Sequence, residues 1–127
     1  MKTSALAPHA RSLLRIIVGF TFSLHGLQKL FGLFGGTQAG MLSLMWVAGC
    51  LEAVGGLLII LGLFTRPVAF LLCGQMAVAY FKAHYPRGFW PVQNGGELAV
   101  VYCFVFLYFV FAGPGPLSLD RLIRKKS

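Results

Sequence analysis

Acidic side chains are nearly missing from this sequence: three Asp and Glu stand against eleven Lys and Arg in 127 residues. Charge of either sign is scarce, at 11 % of residues, where an ordinary soluble domain carries roughly 25 %. That shortage excludes a water-soluble globule, which would lack the polar residues to cover its own surface. Cysteine is sparse as well. Cys50, Cys73 and Cys103 stand singly, with no C-x-x-C pair and no metal-ligand spacing, so they read as small interior residues rather than as a thiol–disulfide device. The sequence also lacks a Gly-rich phosphate loop and a nucleophile elbow. Runs such as Val54–Leu63 and Val100–Phe111 lack the period-two alternation of a transmembrane β-barrel.

What the sequence has is apolar surface. Hydrophobic residues make up 57 % of the chain, which also excludes disorder. The remaining class is an integral membrane protein, short enough to be a single domain over 1–127. A helix needs about 20 mostly apolar residues to cross a hydrocarbon core of roughly 30 Å. Four stretches approach that length, at about 12–34, 43–64, 67–82 and 97–112. Gly35-Gly36-Thr37-Gln38 breaks the first pair, and Thr65-Arg66-Pro67 makes a tight turn with Pro67 in a tolerated first-turn position. Gly113-Pro114-Gly115-Pro116 stops the fourth. The expected fold is all-α, an integral membrane four-helix bundle. The first stretch is expected to be a retained helix rather than a signal peptide, because no A-x-A-like cleavage site closes it.

The net charge of +8 bears on orientation, not on nucleic acid. If both termini are cytoplasmic, Lys2, Arg11, Arg15, Arg66, Arg121, Arg124, Lys125 and Lys126 gather inside and Lys29, Lys82 and Arg87 outside. Cytoplasmic flanks hold the excess of Lys and Arg, so both termini are expected in the cytoplasm of a prokaryotic cell whose inner membrane the chain crosses several times. The tail from Arg121 to Lys126 would also lie against anionic lipid, at roughly 1 kcal/mol per basic residue.

Polar residues inside the apolar stretches carry the functional signal, since a charge near the bilayer centre costs at least ~2.5 kcal/mol and therefore faces a partner. Glu52 is the clearest case. Its neighbours three and four positions away are Ala48, Gly49, Gly55 and Gly56, all small, so another helix can approach there. Glu52 is expected to pair with Lys29 or His25 on the first helix. Gln75 falls at the same level on the third. Such a pair also fits a plain register-fixing contact, and Gln75 also fits interhelical glue. Asn94-Gly-Gly-Glu97 has the spacing of a capping box, with Glu97 in the first turn of the fourth helix. Between the third and fourth helices, Lys82, His84 and Arg87 mix with Tyr85, Phe89 and Trp90 and with prolines at 86 and 91. That composition reads as an ordered outer loop, serving either as a lid over the polar cluster or as an aromatic anchor at the headgroup level. The candidate ligand-binding residues are thus His25, Gln28, Lys29, Glu52, Gln75, Lys82, His84, Asn94 and Glu97, with no metal site.

Taken in order, His25-Gly26-Leu27-Gln28-Lys29-Leu30-Phe31-Gly32, Glu52-Ala53-Val54-Gly55-Gly56, Gly62-Leu63-Phe64-Thr65-Arg66, Ala79-Tyr80-Phe81, His84-Tyr85-Pro86-Arg87-Gly88-Phe89 and Asn94-Gly95-Gly96-Glu97 resemble the successive signatures of the DoxX family. Gly113-Pro114-Gly115 and Ser118-Leu119-Asp120 complete the likeness, which runs from about Arg11 to Asp120. The resemblance implies four helices in a prokaryotic cytoplasmic membrane and a link to quinone-dependent oxidoreductases. Two readings follow from it. In one, the chain is the membrane subunit of an oxidoreductase and binds a quinone in an outward-facing polar pocket, with His25, Lys29 and Glu52 supplying hydrogen bonds and protons. In the other, it is a non-enzymatic binder of lipid or small solute, a transporter or an assembly factor. Expected partners are the lipid bilayer, an oxidoreductase subunit and further copies of the chain.

Overall fold

The computed structural model describes residues 3–126, with side chains described up to Arg124. Lys2 and the side chains of Lys125 and Lys126, counted above for orientation, lie outside the described residues. Six α-helices follow in order: α1 (Ala7–Phe31), α2 (Leu44–Leu61), α3 (Thr65–Ala79), the single turn α4 (Pro91–Asn94), α5 (Glu97–Ala112) and α6 (Leu119–Lys126). There is no strand among the described residues.

Local chemistry sets the boundaries. Pro8 sits at the start of α1, where a missing N–H costs nothing, and Gly32 closes the helix in the left-handed region at φ 69°. The Ser43 hydroxyl accepts the Trp46 N–H at 3.2 Å to cap α2, and Gly62 at φ 67° ends it. α3 starts against a left-handed Phe64 (φ 52°) with no cap from its own segment. Its first amides are bonded instead by the Asp120 carboxylate of α6, which accepts Phe64 N–H at 2.8 Å and Thr65 N–H at 2.9 Å. Past Ala79 the chain tightens irregularly, through a π-helical turn at Tyr80–His84 and a 3-10 turn at Tyr85–Arg87.

The observed helices shift the expected spans. α1 begins five residues before 12 and stops at Phe31, not 34. α5 occupies 97–112 as expected. Among the described residues only α2, with a mean hydropathy of 2.2 over 18 residues, is both long and apolar enough to cross a membrane unaided. α1 has the length, but its polar residues dilute its apolarity. α3 and α5 have 15 and 16 residues, about 22–24 Å at 1.5 Å per residue, which is shorter than the ~30 Å hydrocarbon core. α6 is an element not expected from the sequence.

α1 packs along α2, α3 along α5, and α2 against α3. Rings join α1 to α5: Phe22 meets Tyr102 and Phe106 edge-on at centroid distances of 5.1 and 4.9 Å. Around them Val18, Ile59, Ala69, Leu72, Met76 and Phe109 complete the buried core. Outside that core the helices turn large apolar groups outward, among them Phe20, Val54, Phe70, Val78, Phe104 and Phe111, each more than half exposed. A soluble monomer does not show apolar surface on this scale, and lipid is the solvent that fits it.

Candidate functional site

Helices α1, α2 and α3 meet at one buried carboxylate. Glu52, 2 % exposed, accepts Lys29 Nζ–H at 2.7 Å on Oε1 and Gln75 Nε2–H at 2.9 Å on Oε2. The expected pairing of Glu52 with Lys29 is therefore present, and Gln75 lies at the matching level. Small residues make it physically feasible. Gly49 packs against the Lys29 Cβ and the Leu30 side chain, and Gly55 faces Leu72 of α3, so the three helix axes approach closely where the charge is held. The Lys29 side chain is 23 % exposed, while Gln75 Oε1 is buried without a hydrogen-bond partner among the described residues. Beyond its internal bonds the cluster thus offers unused ammonium N–H groups and one free carbonyl acceptor.

His25 does not bond to Glu52. Its ring stands edge-on to Tyr102 at 6.1 Å, and it makes no hydrogen bond among the described residues. The Tyr102 hydroxyl is paired with Thr21 Oγ1 at 2.7 Å. Gln28 is turned away from the cluster, donating to the Phe34 carbonyl at 3.2 Å and packing under Gly36 in the α1–α2 loop. Six of the nine candidates gather separately or not at all. Lys82 and Glu97 are exposed and make no hydrogen bond or ion pair among the described residues.

His84 and Asn94 belong to a second group. The buried Asn94 amide donates to Tyr80 Oη at 3.1 Å and to the Gly88 carbonyl at 2.8 Å, while its Oδ1 accepts Gly96 N–H at 2.8 Å. His84 Nδ1 lies 3.3 Å from the Asn94 carbonyl, and Tyr80 Oη donates to the Phe89 carbonyl at 2.8 Å. Asn94 is therefore not the N-cap of α5, as its spacing with Glu97 suggests. Gly96 holds that position, because Asn94 Oδ1 satisfies the amide two residues on in an Asx turn. Phe89 and Trp90 project 63 % and 61 % exposed from the loop.

The opposite end of the helices holds residues whose roles the sequence reading missed. Arg15, 1 % exposed, donates to the carbonyls of Ile59, Ile60, Pro114 and Leu117. Arg66 donates to the Val110 and Phe111 carbonyls at 3.0 and 2.8 Å, and Arg11 to the Ala112 carbonyl at 3.0 Å. Three arginines thus occupy the electronegative C-terminal ends of α2 and α5, where helix carbonyls lack intrahelical partners. Two clefts among the described residues lie away from Glu52. One, of about 500 Å³, lies at this arginine end, and the other, of about 400 Å³, is an apolar groove between Leu14 and Val100–Tyr108. Cys73 and Cys103 are brought within 3.7 Å across α3 and α5, a thiol contact that their positions in the sequence do not disclose. No group of three or more His, Cys, Asp or Glu suited to a metal gathers among the described residues.

The DoxX family model matches residues 10–85. An uncharacterized protein of Haemophilus influenzae is 46 % identical over 94 % of this chain and 94 % of its own length. The putative oxidoreductase CatD of Bacillus subtilis is 31 % identical over 89 % of this chain and 86 % of its own. The inner membrane protein YqjF of Escherichia coli is 32 % identical over 88 % of this chain and 90 % of its own. No solved structure matches. With its apolar exterior and this likeness over nearly its whole length, the chain is a membrane protein of the DoxX family.

Proposed function

We propose that the protein is a membrane subunit of an oxidoreductase and that the cluster around Glu52 binds the headgroup of a quinone. The observation that carries this reading is Glu52 itself, a carboxylate held between an ammonium and an amide from two other helices, with one buried acceptor left over on Gln75. Buried ionisable groups in apolar helices are costly and mark ligand or proton pathways. The likeness to a putative oxidoreductase points the same way. The donor set fits the ligand class: Lys29 has N–H groups for a carbonyl oxygen and Gln75 Oε1 accepts from a hydroxyl. A quinone takes up two electrons and two protons on reduction. The Lys29 ammonium, 2.7 Å from Glu52, can supply one of those protons; its loss leaves the Glu52 carboxylate without its counter-charge, so a proton drawn from water must restore the pair, and the second proton comes from water as well. Electrons come from a partner subunit. In this reading α1, α2, α3 and α5 all cross a bacterial inner membrane, with both termini in the cytoplasm.

The second reading, a non-enzymatic binder of lipid or solute, draws on the closure of the cluster, where both Glu52 oxygens are already bonded. Extraction of purified protein and mass spectrometry of the co-purifying quinones and phospholipids separates the two. Wild-type protein is expected to carry quinone. Glu52→Gln and Lys29→Met are expected to lose about tenfold of it, the factor of one charge-assisted hydrogen bond, at unchanged protein yield. Serine at Cys50, Cys73 and Cys103 is expected to leave the quinone content as it was. Phospholipid without quinone in the wild type would replace this reading with the second.

A further inference from the structure

The cavity of about 500 Å³ at the arginine end is lined by Arg11, Arg66, Arg121 and Arg124, with Pro114 and Gly115 forming its wall. Guanidinium groups gathered around one space repel each other unless something negative lies among them, and of these four Arg124 already has an interaction of its own within the fold. The fold supplies little. The sequence has three acidic residues, and two of them, Glu52 and Glu97, belong to the opposite end. The third, Asp120, has its two oxygens engaged by the amides of Phe64 and Thr65. Arg11 and Arg66 spend one nitrogen each on the carbonyls closing α5, and Arg11 Nε is buried with no hydrogen-bond partner among the described residues. The Arg121 guanidinium, on an exposed side chain, makes no hydrogen bond among the described residues.

The setting narrows the ligand. α6 is amphipathic: Leu122 and Ile123 are 55 % and 56 % exposed on one side, while Arg121 and Arg124, three residues apart, share the other side and line the cavity. A short helix with that division lies in the membrane interface, apolar face down, at the depth of the lipid headgroups. Planar guanidinium forks match the oxygens of phosphate two at a time, which an ammonium cannot do.

We propose that this arginine-lined cavity binds a phosphate-bearing anion, either the headgroup of an anionic phospholipid or a soluble phosphate. The site is separate from the cluster around Glu52 and stands whether or not that cluster takes a quinone. Full-length protein, stripped of lipid in neutral detergent, is titrated with phosphatidylglycerol, with phosphatidylcholine and with inorganic phosphate at constant ionic strength, and occupancy is read by native mass spectrometry. Phosphatidylglycerol is expected to bind and phosphatidylcholine to bind at least about tenfold more weakly. Arg121→Gln, which removes no hydrogen bond of the fold, is expected to weaken phosphatidylglycerol about tenfold, and Arg121→Lys less. Arg11→Gln tests the buried side of the site and Arg121→Gln remains the readout if that variant is poorly folded. Displacement of the lipid by inorganic phosphate would assign the site to the phosphate group from either source, and lipid that resists displacement would assign it to the phospholipid. Equal retention of phosphatidylglycerol and phosphatidylcholine, or full phosphatidylglycerol occupancy in Arg121→Gln, would overturn the proposal.

Discussion

A guanidinium buried to 1 % among carbonyl oxygens is held by shape as much as by charge. Arg15 reaches the Ile59 carbonyl at 2.8 Å, that of Leu117 at 2.6 Å, and those of Ile60 and Pro114 from one side chain of α1. Arg15→Met would take a donor from all four carbonyls, with Ile59 keeping the Gly62 N–H at 3.1 Å, and the expected cost is about 3 kcal/mol. Arg15→Lys keeps the charge but not the fork, and should recover about half of it. Thermal unfolding in detergent measures both, and an unchanged midpoint for Arg15→Met would contradict this role. That Glu52 pairs with Lys29 or His25 was legible in the sequence, because charges in apolar helices have few ways to be satisfied, but the choice of Lys29 was not. Arg15 was not, since an arginine near a helix end reads as a topology signal whether it faces lipid headgroups or a ring of carbonyls. Gln28 and Lys29 are neighbours in sequence, yet only Lys29 faces α2. Adjacent positions lie about 100° apart around a helix, and only the packing partner shows which of the two is turned inward.

At the scale of elements, the contact between α1 and α2 is set by glycine. A Cβ on Gly26 would fall 2.8 Å from Ala53 Cα and from the Gly49 carbonyl, both backbone, and one on Gly56 would fall 2.8 Å from the Ser23 Cβ. Gly26→Ala must therefore push the helices apart and draw Lys29 away from Glu52. The expected loss is about 1–3 kcal/mol, as for an overpacked core. Gly74 in the middle of α3 has nothing within 4 Å, so Gly74→Ala should be neutral or stabilising by up to about 1 kcal/mol. Comparing the two melting temperatures tests the contact, and a Gly26→Ala variant no less stable than Gly74→Ala would refute it. The glycines around Glu52 could be read from the sequence as a packing face. The extra helix α6 could not, because its apolar residues at 119, 122 and 123 span barely two turns among basic ones.

Across the whole molecule, the described charges divide by end. Arg11, Arg15, Arg66, Arg121 and Arg124 gather where α1 begins and α5 finishes, and Lys29, Lys82 and Arg87 lie toward the other end. A reporter active only outside the cytoplasm, fused at Ser127, is expected to be silent, and the same reporter inserted after Arg87 is expected to be active. The reverse pattern would turn the molecule over. The Asp120 carboxylate that bonds the first amides of α3 bears on the order of assembly. It lies 55 residues beyond Thr65, and the Leu117 carbonyl and amide that Arg15 and Ser12 engage lie 102 and 105 residues beyond those side chains. A chain emerging from its N-terminus therefore enters the membrane with α3 uncapped and the Arg15 guanidinium short of two of its acceptors, and stays so until residues 114–120 arrive. The segment after Gly113 is the clasp that completes α1 and α3, so a chain stopped at Ala112 is expected to be cleared by membrane proteolysis several-fold faster in a pulse-chase than one that extends past Asp120.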